Sequence, residues 1–235
     1  MKSPLKTLLL LFALFCSAHA QNEPTATRSK SSFTCVIWDK LEATQLFYQY
    51  NKQFHPLELR KGTRSKPFPI EKSDFFTLYT EKMVDGEKQF LPYAQSKMPN
   101  FKQRALFLLL PDPSSTERPL RIIGVDDSLG SFPPGSYKFF NLTKTPLQTL
   151  INGEKSQISA GGIEVVDANI PSKGGLLPFV VGANKKVIFE TRIFSQPKER
   201  KMVFLFPQTA KNKHCPIQLK FLSQLVSPSE LAALR

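Results

Sequence analysis

The chain is poor in the residues that most protein chemistry requires. Three Cys, three His and one Trp stand among 235 residues. That is too few for a zinc-finger array or an iron–sulfur protein. Neither His55 nor His214 lies in an H-x-x-H, H-E-x-x-H or C-x-x-C setting, so no zinc or other metal site is assigned. G-x-S-x-G, G-x-x-x-x-G-K-S/T and G-x-G-x-x-G are all missing. The sequence therefore offers no nucleophile elbow, no phosphate loop and no dinucleotide fingerprint. No apolar run in the body reaches bilayer length. No catalytic residue and no cofactor are assigned.

What is present begins with an address. Met1-Lys2-Ser3-Pro4-Leu5-Lys6 is basic, residues 7–15 (TLLLLFALF) are apolar, and Ala18-His19-Ala20 has the A-x-A form cut by signal peptidase. This order is that of a secretory signal peptide over residues 1–20, with an N-terminal anchor as the alternative. Phe15 before Cys16 does not fit a lipoprotein. The expected location is periplasmic or extracellular, in a bacterium, with no transmembrane segment after cleavage. Residues 21–32 (QNEPTATRSKSS) read as a flexible lead-in. Two Cys are left, Cys35 and Cys215. In an oxidising compartment they are a disulfide candidate, closing a loop worth on the order of 5 kcal/mol by chain entropy. Two buried free thiols are the alternative.

Short runs rich in Phe, Val, Ile and Tyr alternate with Pro, Gly, Asn and Ser, and the 20 Phe supply core volume. Strands are expected at 33–39, 45–51, 75–80, 105–110, 120–125, 136–142, 163–167, 176–181, 187–194, 202–206 and 217–222. Turns are expected at Asp85-Gly86, Asn152-Gly153, Gly161-Gly162 and Gly174-Gly175. Helical periodicity is nearly absent. Ser227-Pro228-Ser229-Glu230 is a capping box that opens a short helix over 227–235.

Segments also recur in order. Lys102–Pro111 and Lys198–Pro207 share K-x-R-x-apolar(5)-P. Leu91-Pro92-Tyr93 matches Leu177-Pro178-Phe179, and 46–51 matches 136–141. Pro56-Leu57 and 62–65 match Pro146-Leu147 and 153–156. Residues 214–223 resemble 118–125. The fold class expected is all-β: two tandem β-sandwich domains related by internal duplication, with a short C-terminal helix. The units are placed at 33–112 and 119–223, with 113–118 as the linker between them.

The run Phe132-Pro133-Pro134-Gly135-Ser136-Tyr137-Lys138-Phe139-Phe140 resembles the (V/L)PAGxYxF strand lead-in of secreted bacterial sandwich domains, of transthyretin-like or immunoglobulin-like type. Pro134 stands where that pattern has Ala. The resemblance implies a tandem sandwich protein of the bacterial envelope, acting in binding, adhesion or structure.

The charge is strongly one-sided, with 32 Lys and Arg against 19 Asp and Glu. The basic surface candidates are Arg60, Lys61, Arg64 and Lys66, with Lys198, Arg200, Lys201, Lys211 and Lys213 in a second run over 185–220 that also counts Lys185, Lys186, Arg192 and Lys220. Such surfaces attract polyanions. The partners expected are anionic polysaccharide, lipid headgroups or an envelope protein; neither nucleic acid nor a small-molecule cofactor is. A solvated surface that keeps the chain soluble is the plain alternative. The function expected is a non-enzymatic exported binding or structural module. The competing reading is a secreted hydrolase acting on polysaccharide through a carboxylate pair drawn from Asp126, Asp127, Asp167 or Glu164. Asn141-Leu142-Thr143 spells a glycosylation sequon that a bacterial protein leaves idle.

Overall fold

The computed structural model describes residues 31–39, 45–112, 115, 120–208 and 216–232. The signal segment 1–20, most of the lead-in, Lys211, Lys213, His214 and Cys215 lie outside the described residues. The strands in chain order are β1 (Ser32–Ile37), β2 (Phe47–Tyr50), β3 (Gln53–Pro56), β4 (Phe68–Pro69), β5 (Phe75–Val84), β6 (Glu87–Lys97), β7 (Arg104–Pro111) and β8 (Leu120–Asp126). After them come β9 (Ser136–Asn141), β10 (Leu147–Ile151), β11 (Glu154–Ile158), β12 (Ile163–Asp167), β13 (Gly175–Ala183), β14 (Lys186–Ser195), β15 (Glu199–Pro207) and β16 (Ile217–Leu225), and one helix, α1 (Pro228–Ala232).

The strands make four sheets of four. β3-β2-β5-β6 and β4-β1-β7-β8 form the first unit; β11-β10-β13-β14 and β12-β9-β15-β16 form the second, in the same strand order. Both units place their first and seventh strands in parallel, β1 with β7 and β9 with β15. All other pairings between strands are antiparallel.

Alternation explains the layering. On β1 and β7, Phe33, Cys35, Ile37, Ala105, Phe107 and Leu109 face the outer sheet of the first unit and meet Leu46, Tyr48, Phe76 and Leu78. On β9 and β15, Tyr137, Phe139, Val203 and Leu205 face the second unit's outer sheet and meet Leu147, Ile151, Leu177 and Phe179. The opposite faces of these same strands meet each other. Val36, Trp38, Leu106 and Leu108 pack on Phe140, Met202 and Phe204 in a third core. The molecule is thus four sheets deep, with the central strands of the two inner sheets buried on both faces. This accounts for the unbroken apolar runs in β7 and β15, since a strand covered on both sides has no solvent face to mark with polar residues. Outer strands such as β10, buried at alternate positions, keep one.

Two features differ from the sequence reading. β8, expected to open the second unit, pairs with β7 through residues 105–111 and completes the first unit's inner sheet. The stretch 113–118, expected as the inter-unit linker, therefore lies in a β7–β8 connection, and the passage between units is residues 127–135. β8 is then the counterpart of β16, as the likeness of 118–125 to 214–223 suggested. The K-x-R-x-apolar(5)-P pair falls on the equivalent strands β7 and β15. Apart from 118–125 with 214–223, the other matches do not: 46–51 carries β2 and 136–141 is β9, while 91–93 lies in β6 and 177–179 in β13. Alternating aromatics make any two strands look alike, so those matches reflect strand composition.

Four hairpin turns have positive φ at both central positions: Asn51-Lys52, Asp85-Gly86, Asn152-Gly153 and Asn184-Lys185. That is the geometry of a type I′ turn, whose twist suits paired strands. Five strands went unmarked in the sequence: β3, β4, β6, β10 and β11. They are short or polar and four of them are sheet edges. At the far end the capping box forms. Ser227 Oγ accepts from Glu230 N at 3.3 Å, and Glu230 Oε2 accepts from Ser227 N at 3.0 Å. Glu230 also pairs with Arg104 of β7, tying α1 to the first unit. Burial pushes the Glu230 carboxyl up, but the Ser227 N–H and Arg104 outweigh it and hold it at about 2. Among the described residues no helix is long and apolar enough to cross a membrane.

Trp38, the only Trp, lies in the inter-unit core against Phe204 at 5.3 Å. Phe204→Ala should remove about 3–5 kcal/mol. Because both units lean on this core, Trp38 fluorescence and far-UV circular dichroism should lose signal in one shared denaturant transition. Two separated transitions would show that the units fold apart.

Candidate functional site

The acidic pair singled out in the sequence lies where the chain leaves β8. Its two members part company. Asp126 accepts the Ser128 N–H at 2.9 Å and is half-buried. Asp127 is 1% exposed and turns between the inner sheets. Arg64, from the β3–β4 connection, grips both of its oxygens, with Nη2 at 3.3 Å from Oδ1. Arg200 of β15 reaches Oδ2 at 3.3 Å. Arg200 is itself wholly buried and fully used: it donates to the carbonyls of Asp127 at 3.1 Å and Phe132 at 3.0 Å, and to Gln224 Oε1. Lys138 of β9 donates to the Asp126 carbonyl at 2.6 Å and lies 4.8 Å from the Phe132 ring.

Three cations thus surround one carboxylate. Burial pushes Asp127 up, but Arg64 and Arg200 more than offset it, so its carboxyl titrates below the usual range. Lys138 moves down to about 8, chiefly because burial disfavours its charge, with Arg200 and Arg64 adding to the effect. A buried pair is costly to assemble and more costly to half-remove. This cluster joins Arg64 of the first unit to Arg200 of the second through the connection between them.

Three of the expected basic surface residues are taken up in ion pairs: Arg200 and Lys201 are buried and Arg64 is half-buried. Arg64 and Arg200 hold Asp127, and Lys201 pairs with Glu199 and donates to Ser223 Oγ at 2.8 Å. Their stretch reads as a charged run, but β15 is a central strand and draws it inward. Arg60, Lys61, Lys66 and Lys198 are exposed, with Lys66 beside Glu58 at 2.9 Å. The carboxylates of the hydrolase reading do not converge. Asp127 is consumed by its arginines, Asp167 accepts the Asn169 N–H, and Glu164 is exposed on β12. Among the described residues no three His, Cys, Asp or Glu side chains gather as a metal site would need.

Cys35 is a free thiol, wholly buried among Phe33 and its neighbours, and burial alone pushes its ionisation far up. Its expected disulfide partner, Cys215, lies outside the described residues. Asn141 of the sequon is also buried. Its amide donates to the carbonyls of Thr145, Ile158 and Ser159, so it works as a loop tie.

A basic groove lies on the outer face of the second unit. There β10, β11, β13 and β14 enclose a groove of about 570 Å³. Gln148 pairs with Gln157 on one side and Gly182 on the other, so these three stand in one cross-strand row. Lys155 lies in the next row, and Lys185 and Lys186 close the groove from the β13–β14 turn. All three lysines are exposed, and no carboxylate lines the groove. Lys155 was not among the sequence candidates. Its signal was its place two residues past the Asn152-Gly153 turn, which sets it facing outward beside β10.

The same face of the first unit is filled. Phe54 stacks on Phe90 at 4.2 Å, Tyr79 meets Phe54 at 5.0 Å, and Phe47 meets Phe90 at 4.9 Å.

No protein-family model and no curated protein matches the chain.

Asp127→Asn should cost about 3–5 kcal/mol at neutral pH, because it leaves two arginines facing a neutral amide. The native carboxyl's stabilisation is present above the ordinary Asp range and lost as pH falls through its lower folded value, so the gap to the variant should narrow in acid. Lys138→Met gives the same sign of pH dependence, at the alkaline end. Wild type should gain stability relative to that variant as pH rises above about 8, where the folded state releases the Lys138 proton first. Urea midpoints from pH 2 to 10 check both.

Proposed function

We propose that the protein is an exported binding module, without chemistry of its own, that contacts anionic material through the outer sheet of its second unit. The observation that carries this is the groove walled by Lys155, Lys185 and Lys186 with no acid on its lining. The inner sheets are spent on each other, which leaves the outer faces for partners. One-sided charge adds long-range attraction. The hydrolase reading has less support, because its carboxylates stand apart or are paired.

The proposal extends to origin: one eight-stranded unit, copied head to tail. In its favour are the shared strand order, the parallel pairs, the type I′ turns at corresponding connections, and the K-x-R-x-apolar(5)-P motif on β7 and β15. The envelope location rests on residues 1–20, and mass spectrometry of the exported chain should find Gln21 as its N-terminus.

On a sulfated-polysaccharide column the protein should elute later in a salt gradient than a lysozyme-sized basic control, with retention falling steeply as salt rises. Elution with the control or before it would overturn the reading.

A further inference from the structure

We infer that the groove on the outer face of the second unit is a binding site for an acidic polysaccharide, one whose sugars carry carboxylate or sulfate groups. This rests on the polyanion-contacting reading above and names the ligand class of that same site.

The first argument is the contrast between the two units. Corresponding strands build both outer sheets, yet the first unit covers its face with Phe47, Phe54, Tyr79 and Phe90 packed ring to ring. The second unit has no aromatic ring on the groove lining. Gly182 sits at the register shift in the β13–β14 pairing and adds no side chain between Gln148 of β10 and Val187 of β14 in the row that runs on from Gln157. A Cβ there would come within 3.2 Å of the Lys186 carbonyl and would reach the Gln148 Cβ at 4.0 Å. Small size at this position keeps the depression open.

The second argument is the chemistry of the walls. Gln148 and Gln157 each present an amide donor and a carbonyl acceptor, which suits hydroxyl-bearing sugars. Lysines bind as point charges on flexible stems, in contrast to the rigid fork of Arg. They tolerate the varied spacing of acidic groups along a glycan. The cations come from two different turns, at Lys155 and at Lys185-Lys186, on either side of the glutamine row. An extended chain crossing the strands would meet charge at both ends and amides between. Sequence-tolerant binding of single-stranded nucleic acid relies on aromatic stacking platforms, and this groove supplies none. Its volume falls within the range of about 300–1,000 Å³ typical of ligand pockets.

The test compares two variants of equal charge loss in the full mature chain. Lys155→Gln/Lys185→Gln/Lys186→Gln strips the groove. Lys82→Gln/Lys97→Gln/Lys102→Gln removes three exposed lysines from the first unit. Binding is measured at fixed low salt to polygalacturonate and to heparin, and also to a single-stranded oligonucleotide and to phosphatidylglycerol vesicles. Circular dichroism verifies that each variant is folded. The groove variant should lose about tenfold or more in affinity for the two polysaccharides, and the control less than about twofold. Equal losses in both variants would overturn the inference and the groove's part in the parent reading, leaving only charge-driven contact with polyanions. Tighter, groove-dependent binding of the vesicles or the oligonucleotide would overturn the ligand class. Failure of wild type to hold any of the four would overturn the parent reading itself.

Discussion

Asp127 sits on the chain as it crosses from one unit to the next, nearly sealed from solvent, and it is held by an arginine from each side. A buried carboxylate tolerates little displacement, because losing either partner leaves charge without water or counterion. The relative placement of the two inner sheets is therefore fixed by a polar constraint as well as by apolar contact. The apolar part, Val36, Trp38, Leu106 and Leu108 against Phe140, Met202 and Phe204, supplies adhesion but little direction. Arg200 supplies direction: its donors also reach two carbonyls of the connection and Gln224 of β16, so it reads the position of three segments at once.

That arrangement decides where function can be. Four of the molecule's eight sheet faces are consumed in the inter-sheet cores of the units, and two more in the contact between inner sheets. Two outer faces are left. One is closed by its own rings, and the other is hollow and basic. The division of labour between two units of one topology lies in what covers that last face.

The sequence showed the architecture better than the site. The central strands β7 and β15 were legible because residues such as Phe107, Leu108, Phe204 and Leu205 form runs that only a doubly covered strand accommodates. β3, β6 and β11 were not legible, since an edge strand has few buried positions and reads as loop. The unit boundary was misplaced because β8 is a good strand and its pairing partner cannot be known from its own residues. Charge was the least legible feature. Arg200 and Lys201 stand in a basic run, and what brings them inside is the central position of β15, set by pairing with β9 some sixty residues earlier. The groove lysines are unremarkable one by one. Lys155 and Lys186 are brought together by the β10–β13 pairing, which no local pattern announces.

The parallel pairing of β1 with β7 carries a kinetic consequence. Phe33 meets Phe68 of β4 about thirty-five residues later but Ala105 only after roughly seventy, so the β7 side of β1 has no neighbour until most of its unit has been made. Closing so long a loop is slow. During that interval Phe33, Cys35, Val36 and Ile37 form a bare apolar edge able to pair with any extended chain nearby. A chain built this way benefits from a holding factor that shields its first strand until the seventh arrives.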